Sequence, residues 1–289
     1  MRFYKYQGAG NDFLIADNRS GSIREDKGVL YFVEEDGSER SLAIAELCDR
    51  RYGVGADGLM LLETSEGHDF RMVYFNSDGS GGMMCGNGGR CMVAFAADKG
   101  ISHYDFIAAD GFHTAEIISD DGTSKVVRLK MRDVYGLSRY ESLTGVTSPS
   151  DGCFLDTGTR HYVRFVEDVD SYDVVTEGRD IRYNAEELLP VGANVNFVQP
   201  ENGVLKVRTY EKGVEDETYA CGTGIVASGI SAYASGIIPS AKEEADGRVR
   251  YEIRAKRDGL AVDFIPLEDG AFEDVWLTGP AVYVAEINV

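Results

Sequence analysis

A cysteine standing directly before a glycine-rich turn, which then opens into an apolar run, occurs twice in this chain. The two elements are "MMCGNGGRCMVAFAADKG" at 83–100 and "YACGTGIVASGISAYASG" at 219–236, nearly half of the 289 residues apart. Each run is rich in small apolar residues and stops at a glycine, Gly100 or Gly236, as a helix does. Each also follows a strand-like stretch and an acidic loop, in "FNSDGSGGMMCGNGG" and "TYEKGVEDETYACGTG". Farther upstream, "GNDFLIAD" (10–17) and "GTRHYVRF" (158–165) form a second matched pair. Repetition at this distance predicts a duplicated fold with a boundary near Val134. The expected division is residues 1–133 with 279–289, and residues 134–278; two similar halves would bury a site between them.

The rest of the pattern is mostly strand. Runs at 70–76, 125–134, 161–169, 194–199, 204–211 and 248–256 are rich in Val, Tyr, Phe and Ile and are bounded by Gly, Asp and Asn. Helices are expected at 87–98, 223–235 and around 41–51. This is an α/β chain of the α+β type, with mixed and mostly antiparallel strands rather than a regular βαβ alternation.

Composition narrows the partners. A formal charge of −20 argues against nucleic acid and against anionic membrane surfaces, both of which need a basic face. No apolar stretch approaches a membrane span and "MRFYKYQGAGNDF" carries no signal-peptide core, so a cytoplasmic location is expected. The five cysteines are scattered (Cys48, Cys85, Cys91, Cys153, Cys221), which fits reduced thiols rather than a disulfide framework. They form no C-x-x-C pair and none is grouped with a histidine, so no metal site is read. The loop "GVGADG" (53–58) matches a dinucleotide fingerprint, but no buried strand precedes it and no suitable helix follows; a turn-rich loop is the better reading.

The chemistry therefore rests on the two cysteines. A thiol at a helix N-terminus faces the positive end of the macrodipole and unpaired backbone N–H groups, which favour the thiolate. The adjacent glycines let a carboxylate approach the bare backbone. One such element alone would read equally well as a small buried hydrophobe beside a turn; two, mirrored in the two halves, point to a shared task. With both mouths on one substrate, one sulfur removes an α-proton and the other returns a proton to the opposite face. That inverts the stereocentre, and no cofactor is demanded; no phosphate cradle for pyridoxal is present.

On these residues the chain resembles the diaminopimelate epimerase family. The likeness runs nearly end to end: "GAGNDF" (8–13), "CDRRYGVGADGL" (48–59), "FNSDGSGGMMCGNGGRC" (75–91), "NVNFV" (194–198), "YEKGVEDETYACGTG" (210–224) and "LTGPAV" (277–282). The resemblance implies two pseudo-symmetric domains, each a curved sheet around a central helix, with the active site in the cleft between them. It also implies a cofactor-independent enzyme of lysine and peptidoglycan-precursor synthesis. Carried over by position, Cys85 and Cys221 match the catalytic bases. Gly86, Asn87, Gly222 and Thr223 match the groups that hold the reacting carboxylate. Asn11, Asn76, Thr159 and Asn194 match substrate-binding positions, Glu211 the glutamate that meets the substrate ammonium, and His161 the histidine that tunes the thiols with it. The family's usual Glu-Arg is Glu211-Lys212 here and its Asn-Pro-His is Thr159-Arg160-His161, which makes Lys212 and Arg160 the basic groups for a distal carboxylate. A homodimer is left open, since the tyrosine some members use at a dimer contact corresponds to Ala285. Two other readings remain: an epimerase or racemase of another amino acid on the same fold, and a silent amino-acid-binding protein whose thiols serve packing.

Overall fold

In the computed structural model, which describes residues 1–33, 36–148, 150–242 and 245–289, the chain divides into two units. One comprises Met1–Leu129 and Pro280–Val289, the other Lys130–Gly279. Four helices lie in the described residues: α1 (Ile44–Cys48), α2 (Gly86–Asp98), α3 (Val174–Asn184) and α4 (Gly222–Ala234).

The first unit begins with a hairpin. Ala9 and Gly10 both take positive φ (52° and 96°), the backbone of a tight two-residue turn, so strands Arg2–Gly8 and Asn11–Asp17 pair antiparallel and Asn11 sits at the strand start. Asn11–Asp17 then runs parallel to Gly58–Glu63, which is antiparallel to Phe70–Asn76. Phe70–Asn76 is parallel to Asp105–Ala108, followed by antiparallel Gly111–Asp120 and Ser124–Lys130. The end of the long strand Phe272–Asn288 pairs with both Ser124–Lys130 and Arg2–Gly8 and closes the ring. Helix α2, buried from Gly86 through Ala96, packs against several strands of this ring.

The second unit repeats the order of pairings. Gly152–Asp156 is antiparallel to Arg160–Phe165, which is parallel to Asn194–Glu201, which is antiparallel to Val204–Glu211. Val204–Glu211 is parallel to Val249–Arg254, followed by antiparallel Gly259–Pro266 and the beginning of Phe272–Asn288. In both units the buried helix enters after the fourth strand of this series. The chain is thus a mixed α/β protein of two matching sheet-rich halves.

The sheets are covered on both faces, which explains the unbroken apolar runs. In the second unit α4 packs on one face, while α3 joins Tyr162, Val195, Phe197 and Tyr210 in a core on the other. Strand alternation therefore puts His161, Asn194, Asn196, Thr209 and Glu211 on the α4 face.

Helix α3 escaped the sequence reading. Its sequence "VVTEGRDIRYN" is polar, with a mid-helix glycine that argues against a helix. A Cβ on Gly178 would lie 2.4 Å from Tyr210 Cβ, so close packing on the sheet requires the glycine. The helix expected around 41–51 is only α1, because Glu39–Ala43 pairs with Val29–Val33 as a strand. The "GVGADG" loop folds onto α1: Val54 and Gly55 donate to Leu47 O, and a Cβ on Gly53 would lie 1.9 Å from Glu46 O. Its glycines serve that close approach.

Candidate active site

Both cysteines are N-caps. Cys85 caps α2 with extended backbone (φ −114°, ψ 151°), and its Sγ accepts from Gly88 N at 3.3 Å. Cys221 caps α4 (φ −107°, ψ 112°), with its Sγ 3.4 Å from Thr223 Oγ1. Cys85 is exposed and Cys221 buried, at 8 % exposure. The other three thiols are buried. Burial pushes Cys48 up to about 11 and raises Cys91 further, which keeps both protonated and inert.

Charge supports the first mouth. The Asn87 amide donates to Asn11 Oδ1 at 2.7 Å, and the Asn11 amide donates to Asp57 Oδ2 at 2.9 Å. Arg50 bridges Asp57 and Asp12, and Lys5 also contacts Asp12. Burial alone would raise the Asp12 carboxyl, but hydrogen bonds from Arg50 and Lys5 hold it below its usual value. From the other side Arg90, fully buried, donates to Asn87 Oδ1 (2.8 Å), Gly86 O (3.2 Å) and Pro280 O (3.4 Å). The first turn of α2 is thereby clamped. Asn76, at the end of its strand, donates its amide to Ser80 Oγ and orders the acidic loop before Cys85.

Neutral groups support the second. His161 Nε2 lies 2.9 Å from both Thr159 Oγ1 and Thr223 Oγ1, and these hydroxyls are 3.1 Å apart. Burial lowers His161 to about 3, so the ring is neutral at pH 7. Asn194 donates to Arg160 O at 3.1 Å and accepts from Lys212 N at 2.8 Å. Glu211 accepts from Thr218 Oγ1 at 2.8 Å; burial raises its carboxyl, against the pull of that hydrogen bond. The Lys212 side chain is exposed. The Arg160 guanidinium stacks 4.9 Å from the Phe154 ring centre, on the sheet face opposite His161, so it is the Arg160 carbonyl that joins the Asn194 cluster.

Structure thus gathers Cys85, Gly86, Asn87 and Asn11 at one helix mouth, and Cys221, Gly222, Thr223, Thr159, His161 and Asn194 at the other. Sequence reasoning missed Arg90, Asp57 and Arg50 in the first and Asn196 and Thr209 in the second. Chemically, each mouth offers a thiol beside first-turn N–H groups that lack intrahelical acceptors, a donor set suited to a carboxylate. Among the described residues no cluster of His, Cys, Asp or Glu could hold a metal ion, and no helix is long and apolar enough to cross a membrane.

Comparison with known proteins gives the family and the fold. The family model described as diaminopimelate epimerase matches residues 3–132 and 153–260. A diaminopimelate epimerase from Flavobacterium psychrophilum is 39 % identical over the full length of both chains. Another from Chlorobaculum tepidum is 40 % identical over 95 % of each, and one from Aquifex aeolicus is 38 % identical over 99 % of this chain and 96 % of its own. Among solved structures, a PhzF-family phenazine biosynthesis protein from Bacillus anthracis is similar with a TM-score of 0.67 at 14 % identity, covering 100 % of this chain and 98 % of that one. A probable proline racemase from Agrobacterium radiobacter K84 gives 0.65 at 14 % identity, covering 100 % and 92 %. These two carry the fold.

Proposed function

The chain belongs to the diaminopimelate epimerase family, and from that premise we propose that it interconverts LL- and meso-2,6-diaminopimelate by passing α-protons between substrate and two thiols, Cys85 and Cys221. The observation that carries this is the matched pair of cysteine N-caps on the two buried helices. In this mechanism one sulfur, as thiolate, takes the α-proton, while the other, as thiol, gives a proton to the opposite face. Negative charge builds on the α-carboxylate as the C–H bond breaks. The first-turn N–H groups at Gly86, Asn87, Gly222 and Thr223 are suited to hold that carboxylate and stabilise the charge. Glu211 meets the substrate ammonium, His161 acts on the thiols, and Asn11, Asn76, Thr159 and Asn194 contact the remainder of the substrate. A homodimer in the cytoplasm belongs to the same proposal; sedimentation and cell fractionation test it.

The decisive experiment is solvent deuterium exchange into diaminopimelate. Wild-type protein should label the α-carbon and invert it. Cys85→Ser and Cys221→Ser should each lose at least about a thousandfold in epimerisation, because a hydroxyl is too weak an acid to supply the base at neutral pH. Full turnover in both variants would refute the two-thiol reading. Retained labelling with other amino acids but not diaminopimelate would move the substrate assignment and leave the mechanism standing. For the distal carboxylate we assign Lys212, because Arg160 is stacked on Phe154. Lys212→Ala should raise KM for diaminopimelate several-fold and Arg160→Ala by less than twofold, and the reverse order would exchange the two roles.

A further inference from the structure

The last glycine of "ACGTG" shows what lies beneath the second mouth. A Cβ on Gly224 would lie 2.4 Å from Asn196 Oδ1 and 3.3 Å from His161 Cε1, so α4 begins pressed directly on these two side chains. Both are fully buried.

Their hydrogen bonds have one consistent polarity. The Asn196 Nδ2 group lies 3.2 Å from Tyr162 O and 3.0 Å from His161 Nδ1, while its Oδ1 accepts from Thr209 Oγ1 at 2.9 Å. A carbonyl only accepts, so Tyr162 O decides which end of the amide carries the hydrogens. The NH2 group only donates, so His161 Nδ1 is bare and the proton of the neutral ring is on Nε2. Nε2–H faces Thr223 Oγ1 and Thr159 Oγ1, each at 2.9 Å, and donates toward them. Thr159 Oγ1 also lies 3.5 Å from the Asn194 amide donor and 3.1 Å from Thr223 Oγ1, so its own proton is directed to Thr223. With its oxygen accepting from these neighbours, Thr223 directs its hydroxyl proton to Cys221 Sγ, 3.4 Å away.

We propose that Asn196 is a positioning residue: by fixing His161 as the Nε2–H tautomer it makes Thr223 a donor to the sulfur of Cys221, and so favours the thiolate. The inference rests on Cys221 serving as a base. It gives Thr223 a side-chain task beside that of its backbone, and it explains why the glycine three residues after the cysteine has no room for a methyl group. No proton is transferred along the chain; the relay works by orientation alone.

The test reads the thiol itself and needs no amino-acid substrate. In a Cys85→Ser protein the rate of iodoacetamide labelling at Cys221, itself buried, is followed against pH, with peptide mapping to separate it from Cys48, Cys91 and Cys153. Asn196→Asp keeps the shape but accepts from a proton on Nδ1, which leaves Nε2 bare and draws the Thr223 hydroxyl toward the ring. Labelling at pH 7 should fall about ten- to a hundredfold, the range for one hydrogen bond to a charged group. Thr223→Val should cause a similar fall, and adding Asn196→Asp to it should cause no further loss. The 15N shifts of His161 should report protonated Nε2 in the parent and protonated Nδ1 in Asn196→Asp. Undiminished labelling in Asn196→Asp would overturn the proposal. So would a loss that persists in the Thr223→Val background, since that marks a simple charge effect or a packing defect. A protein that shows the coupled loss but inverts no diaminopimelate would keep this inference and refute the function above.

Discussion

The mouths of α2 and α4 share a motif and a backbone geometry, yet what stands behind each thiol differs in kind. Five residues after Cys85 the chain has Arg90, a fully buried guanidinium; five residues after Cys221 it has Val226, equally buried and apolar. The first mouth is held by a charged lattice of Arg90, Asp57, Arg50, Asp12 and Lys5 linked through Asn87 and Asn11. The second is held by hydroxyls, an amide and a neutral imidazole. A duplicated backbone can thus keep the position of a thiol while its surroundings supply permanent charge in one copy and oriented dipoles in the other.

The largest expected effect tests the charged side. Arg90→Met fills the same space but takes a buried donor from Asn87 Oδ1, Pro280 O and Gly86 O, the last of which keeps its helical bond from the Arg90 backbone N–H. Unfolding in urea should show a loss of about 2–4 kcal/mol, at roughly 1–3 kcal/mol for each unsatisfied buried group with partial relaxation. A loss below about 1 kcal/mol would mean that the guanidinium does not hold this mouth.

A matched pair of glycine substitutions comes next. At Gly224 an alanine methyl meets Asn196 Oδ1 at 2.4 Å, whereas at Gly88 it meets Cys85 Sγ at 3.2 Å and Phe13 Cζ at 3.5 Å. Gly224→Ala should cost about 1–3 kcal/mol from overpacking. Gly88→Ala should stay within about 1 kcal/mol of wild type, because the helix-propensity gain offsets the tight contact. Equal losses in thermal melts would erase the claimed difference in crowding.

The smallest effect is in pH dependence. His161 is held neutral down to about pH 3, while the unfolded chain protonates it near its ordinary value of 6.5. Between these values the unfolded state binds more protons, so stability falls as pH falls, by at most about 1.4 kcal/mol per pH unit from this group. Glu211, with its carboxyl raised, acts in the opposite sense just above its ordinary pKa, and Asp12, lowered, contributes only in stronger acid. His161→Gln should therefore flatten the stability profile between pH 6.5 and 5. An unchanged slope would show that the buried imidazole is not the acid-sensitive group of the second mouth.

Much of this was legible in the sequence because cysteine, glycine and helix-stop signals are local. The α2 and α4 runs, the strands at 70–76 and 204–211, and the duplication needed only turn chemistry and periodicity. The supports were less legible because they act across strands. Asn196 is two residues after Asn194 in "NVNFV", so alternation alone puts the two on one face, but nothing local says that Tyr162 O and His161 will meet it. Arg90 had a signal, as the one charged residue in α2 before Asp98, and a buried guanidinium in such a run demands acceptors. Asp57 and Arg50 were hidden in a stretch whose glycines read as a loop. Helix α3 was obscured because Tyr210, distant in sequence, is what requires Gly178.

The strand Phe272–Asn288 sets a schedule for synthesis. Its end closes the ring of the first unit against Arg2–Gly8, and the amino terminus of Met1 donates to the carbonyl of Val289 at 2.9 Å. Arg2–Gly8 therefore waits for a partner strand that is made much later in the chain. While the ribosome is still extending the chain, the second unit has nearly all of its strands, but the first keeps two open edges, exposed to pairing with other chains. Nascent chains arrested before residue 280 should accordingly be cut by protease in the first unit sooner than in the second, and equal protection would show that the ring tolerates the missing strand.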